Sequence, residues 1–192
     1  MKHHNGFTLI ESIVAIVIMG FAMLVLVSFL YPQIERSATP HYQMRAAHLG
    51  QSVMSQILAR GFDQQSDFDG GEWRCGETKP NTTTVKLCSA TLGRDAGEGS
   101  PADFNDVDDY IGCWYADDAS RCGSQTQHYP LSNILGDEII ANYRHFTMLS
   151  DVSYVEQAFA PVHQITDLKR IDLVVDTDRY GRYAFVAYRG NY

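Results

Sequence analysis

One carboxylate interrupts a run of side chains otherwise suited to lipid. Glu11 stands near the start of MKHHNGFTLIESIVAIVIMGFAMLVLVSFLY, and residues 13–31 carry no charge at all, broken only by Gly20 and Ser28. An ionised carboxylate at mid-bilayer costs about 2.5–3.5 kcal/mol on insertion scales, so an acid near one end must reach the interface or meet a cation. Four cysteines offer a second chemistry. Cys75, Cys88, Cys113 and Cys122 all lie beyond the apolar run, at spacings unlike the short C-x-x-C knuckles of zinc sites. An even count beyond a membrane-length segment points to two disulfides in an oxidising compartment. Three connectivities exist; Cys75–Cys88 with Cys113–Cys122 is favoured, because local loops close at the lowest entropic cost.

Other reactive groups form no recognisable constellation. There is no G-x-S-x-G, no Walker loop and no H-E-x-x-H. The seven histidines are scattered, and His41 and His48, seven apart, read as surface residues of a helix and not as a metal pair. The acidic stretch ADFNDVDDYIGCWY invites a calcium reading, but D-x-N-x-V breaks the alternation of an EF-hand loop and no Gly-then-Glu pattern comes after it. It is read as an exposed, capped turn, with Trp114 and Tyr115 as packing residues. No catalytic residue, metal site or cofactor is assigned.

The elements that hold these residues divide along the chain. Of 15 Lys/Arg and 23 Asp/Glu in 192 residues, only four and two respectively fall before residue 61. The remainder is strongly acidic, without a basic cluster, which argues against nucleic-acid binding. The apolar run is too long for the h-region of a cleaved secretory signal and lacks an A-x-A-like site after it. As a helix it matches the roughly 30 Å hydrocarbon core, and in lipid a helix is the structure that satisfies its own backbone. Pro32 and Pro40 are expected to interrupt or kink the helix beyond Tyr31, with Thr39-Pro40 starting a new one. Tyr42, Ala46, Leu49, Val53 and Ile57 then recur at helical spacing, and Arg60-Gly61 is a stop. Residues 61–130 read as irregular apart from a strand at 82–88. Strands are expected at 145–157, 168–177 and 182–189, with a turn at 178–181.

G-F-T-L-I-E-S at residues 6–12, after a short leader carrying Lys2 and before the long apolar helix, resembles the processing site of type IV prepilins. That resemblance implies cleavage by a prepilin peptidase between Gly6 and Phe7, N-methylation of Phe7, and pairing of Glu11 with the terminal amine of a neighbouring subunit. The new ammonium and the carboxylate are each costly alone beside lipid, and pairing them across subunits removes both penalties. The ending YRGNY is similar to minor pilins of the mannose-sensitive haemagglutinin (MshD-type) group.

The resulting expectation is an α+β, pilin-like chain. It comprises a leader (residues 1–6), a transmembrane and assembly helix (7–31), an amphipathic stem with proline interruptions (32–60) and a β-rich periplasmic head (61–192) packed as a small antiparallel sheet. By resemblance it is a minor type IV pilin held in the bacterial inner membrane and then placed in a surface pilus. Its partners would be the major pilin, other minor pilins, the peptidase and the inner-membrane assembly platform. The alternatives are a minor pseudopilin of a type II secretion system and a membrane-anchored periplasmic enzyme or adhesin.

Overall fold

The computed structural model describes residues 8–68, 71–156 and 159–192. Contacts divide the chain into two compact units, residues 1–42 and 43–192. A single helix, α1 (Leu9–Leu58), begins in the first and ends in the second. Its start is set by Thr8, whose Oγ1 accepts the Glu11 N–H at 3.4 Å. Thr8 and Glu11 have the spacing of a capping box, in which side chains satisfy the free donors of the first turn. Over Leu9–Tyr31 the helix is long and apolar enough to cross a bilayer, and none of this stretch is buried within the protein.

Pro32 and Pro40 do not interrupt α1, which corrects the first of the two outcomes expected of them, and Thr39-Pro40 does not start a new helix. Each proline deletes one i→i−4 hydrogen bond, while the bonds of the turns on either side remain. Within the second unit Ala46, Leu49, Val53, Met54 and Ile57 are buried, as the apolar stripe requires. Gly50 lies on this face under the Phe185 ring, which occupies the space a Cβ would need.

The sheet runs in the order β2-β1-β3-β5-β6, with β4 paired to β3. The strands are β1 (Gly112–Tyr115), β2 (His128–Pro130), β3 (Thr147–Val155), β4 (Pro161–Val162), β5 (Leu168–Asp176) and β6 (Arg182–Gly190). The pairs β1–β3, β3–β4, β3–β5 and β5–β6 are antiparallel. The β1–β2 pair is parallel, so the sheet is mixed and not purely antiparallel. The β5–β6 hairpin turns through Asp178–Tyr180 and Gly181, whose φ of 114° suits a residue without Cβ.

No strand forms at 82–88; an isolated bridge between Thr78 and Val85 is all that remains of it. The segment is instead held covalently, by the Cys75–Cys88 disulfide. Cys113 joins Cys122, linking β1 to the short 3-10 turn Ala119–Cys122. Trp114 is buried, while Tyr115 is only partly covered. Trp114 packs with Phe104, Tyr110 and Tyr129 at centroid distances of 5.1–6.2 Å.

Candidate functional site

Glu11 sits in the first turn of α1, exposed, with its backbone N–H tied to Thr8. A carboxylate there also meets the positive end of the helix dipole, a favourable placement worth about 0.3–1 kcal/mol. The residue therefore has a local role that its apolar surroundings hide. Gly6 and Phe7 lie outside the described residues, and His41 and His48 are both exposed on α1.

The second concentration of charge lies inside the head. In β5 the residues at 169, 171, 173 and 175 are buried, so Lys169 occupies the same inward register as Ile171, Leu173 and Val175. Its ammonium has three protons and three acceptors: Asp108 Oδ1 at 2.5 Å, the Phe62 carbonyl at 2.6 Å and Asp63 Oδ2 at 3.2 Å. The Phe62 and Tyr154 rings lie within 5.3 Å of Nζ.

The two carboxylates that pair with Lys169, and the two acids beside them, also hold backbone. Asp63 accepts from the N–H groups of Gln65 and Ser89 and from the Ser89 hydroxyl. Asp108 Oδ2 accepts from Gly93 N–H. Asp106 Oδ1 accepts from Asp108 N–H, and Asp109 Oδ2 accepts from the N–H groups of Asn105 and Asp106. Tyr154 donates to the Ser89 carbonyl at 2.8 Å.

The stretch read as an exposed turn is thus interior: Asp106, Asp108 and Asp109 are all buried. The sequence reading failed because isolated aspartates are usually solvated, whereas these point at backbone donors and at one lysine. Burial, and after it the charges of Asp108 and Asp109, pushes the Asp106 carboxyl up to about 9. Burial, with Asp63 next in weight, raises the Tyr154 phenol.

This group has every Lys169 proton engaged, so it fastens the chain after α1 and the loop around residue 89 to β5. A cavity of about 380 Å³ lies nearby, lined by Ala59, Arg60, Gly61, Asp67, Phe68, Phe104, Asn105 and Arg189. Among the described residues its lining contains no Ser, Cys or His, and Arg60 is committed to Tyr110 Oη and the Pro101 carbonyl.

A membrane-length helix at the amino terminus, joined to a disulfide-bearing α+β unit, is the layout of a single-pass anchored protein. A family model described as the prokaryotic N-terminal methylation motif matches residues 1–27. That match supports a type IV prepilin-like class, pilin or pseudopilin, whose members are structural and are processed by prepilin peptidase. No curated protein matches the chain, and no solved structure matches it.

Proposed function

We propose that the chain is a minor type IV pilin, of the mannose-sensitive haemagglutinin kind that its tail resembles. The precursor waits in the inner membrane with its head in the periplasm. Prepilin peptidase cuts between Gly6 and Phe7 and methylates the Phe7 amine, and the subunit then enters or primes a pilus used in adhesion or motility. Glu11 meets the Phe7 amine of a neighbour and so sets the register of assembly. The observation that carries this reading is the methylation motif at residues 1–27, which overlaps the exposed apolar stretch Leu9–Tyr31. A helix apolar on all sides is stable in lipid or against other such helices, and a filament core supplies the second environment.

Mass spectrometry of the mature amino terminus tests the first step. N-methyl-Phe7 is expected, and an intact Met1 in cells with active peptidase would refute the proposal. The second step is tested in Glu11. Glu11→Ala should be cleaved yet absent from filaments, and Glu11→Gln, which keeps a residue type suited to the capping box, should fail equally. Assembly of the Gln variant would reduce Glu11 to a helix cap. Loss of protein export on gene deletion, with adhesion and twitching intact, would assign the chain to a secretion pseudopilus instead.

A further inference from the structure

The Lys169 group has the parts of a reaction as well as those of an ion pair. Nζ lies 2.5 Å from Asp108 Oδ1 and 3.2 Å from Asp63 Oδ2, and none of the three side chains is more than 2% exposed. The Phe62 and Tyr154 rings stand 4.7 and 5.3 Å from the nitrogen and keep water from it. An amine held against a carboxyl in a dry pocket is a nucleophile beside its electrophile. Fixed contact of this kind replaces a collision, at an effective molarity of about 10⁵–10⁸ M.

The neighbouring groups supply the rest of an acyl transfer. Asp108 Oδ2 accepts the Gly93 N–H at 3.1 Å, a backbone donor placed where negative charge gathers on a tetrahedral centre. Asp106 makes a side-chain hydrogen bond to Asp108. Burial, with the Asp108 charge next in weight, pushes the Asp106 carboxyl up to about 9, so it keeps its proton at neutral pH and donates to its neighbour. Asp63 does not depend on the lysine for its position, because the Gln65 N–H, the Ser89 N–H and the Ser89 hydroxyl hold it. It can take a proton from Nζ and give it back.

We propose that Lys169 and Asp108 are joined in the mature protein by an intramolecular amide bond, made by the folded head itself with loss of one water. One Nζ proton passes to Asp108 Oδ1 across the shortest contact, which cancels two buried charges. The neutral amine adds to Asp108 Cγ and the C–N bond forms, with the negative charge of the tetrahedral centre on Oδ2, facing Gly93. Asp63 accepts the second Nζ proton and returns it to Oδ1; the Cγ–Oδ1 bond breaks and water leaves. Nothing is oxidised or reduced, and both hydrogens of the water come from the ammonium. The third proton stays as the amide N–H and keeps the Phe62 carbonyl, already 2.6 Å from Nζ, while the amide oxygen keeps Gly93. The product leaves neither partner with an unpaired polar atom. It closes a sequence separation of 61 residues and ties β5 to the 3-10 turn Asp108–Tyr110 ahead of β1.

The test is the intact mass of the mature full-length chain in detergent, reduced and alkylated, followed by proteolysis. Wild type should weigh one water less than its processed sequence. Trypsin should no longer cut after Lys169 and should release a branched peptide joining Lys169 to Asp108. A succinimide elsewhere in the chain loses the same mass, so the deficit must disappear in Lys169→Met; its persistence there would overturn the proposal. Asp63→Asn preserves volume but cannot accept the proton, and it should slow linkage of the freshly folded chain by about 10²–10⁴-fold, the worth of a general base. Linkage at the wild-type rate in that variant would overturn the assignment of Asp63. A wild-type mass equal to the processed sequence, with Lys169 and Asp108 in separate peptides, would overturn the proposal whether or not either variant folds.

Discussion

Lys169 illustrates how much one residue can hold. Its ammonium is fully buried and its partners, Phe62, Asp63 and Asp108, come from two distant stretches of chain. Removing one member of a buried pair leaves the others charged and unsolvated, at a cost of about 3–5 kcal/mol. Lys169→Met, which conserves length and apolar bulk, should destabilise the head by that order in urea unfolding. A loss under about 1 kcal/mol would mean that the group is worth no more than a surface pair.

Asp151 makes a smaller claim with a definite sign. Asp151 lies on the open face of β3, and partial loss of water around its carboxyl, with the facing Asp172, its direct cross-strand partner, raises it above its ordinary value. The folded state therefore keeps a proton that the unfolded chain has released. The stability this contributes is complete below the unfolded carboxylate range and is lost as pH rises through the folded value. Asp151→Asn should match wild type in acid and exceed it at neutral pH by about 0.2–1 kcal/mol, the worth of a cross-strand pair. Urea midpoints at the two pH values check it.

At the scale of elements, the contact between α1 and β6 depends on a missing side chain. Alanine is the better helix former by about 0.8–1.0 kcal/mol, yet at Gly50 its methyl would enter the space of the Phe185 ring. Phe185 belongs to a strand in full register with β5 and has little freedom to retreat. Gly50→Ala should therefore destabilise the head by about 1–3 kcal/mol through overpacking, and pairing it with Phe185→Leu should recover most of the loss. A stabilised single variant would show that propensity outweighs the contact.

The elements themselves were unevenly legible. The stripe from Ala46 to Ile57 and the alternation in β5 are local periodicities, which any packed face imposes on its own segment. The continuity of α1 through two prolines was not, because breaking depends on what the remaining turns can hold. The strand expected at 82–88 failed for a related reason: its β-prone residues find no neighbouring strand, and an unpaired strand has no stability of its own.

For the whole head, the disulfides replace the hydrogen bonding that long loops lack. Cys75–Cys88 lies against Phe62 and Tyr154 in a small core, and Asn191 near the chain end donates to the Cys75 carbonyl at 3.0 Å. Opening it frees a loop whose fold depends on few other contacts. Replacing both cysteines by serine should cost about 2–4 kcal/mol, seen as a lower thermal midpoint that added reductant no longer changes for this bridge. An unchanged midpoint would leave the loop held by Asp63 and Ser89 alone.

What the sequence by itself determined is whatever depends on composition and short-range order. The membrane-length helix, the motif from Gly6 to Glu11 and the half-buried hairpin strands are all read from neighbours along the chain. The alternation of Ile171, Leu173 and Val175 extends in register to Lys169, but the sequence reading took only the apolar members as inward, and the burial of the lysine emerged with the fold. Only the tertiary structure decided what an inward lysine and a run of aspartates mean. Asp63, Asp108 and Lys169 are scattered along the sequence, and a buried charge is tolerable only where such distant groups converge. Solvation is the default for each acid taken alone, and it is the fold that withdraws the water.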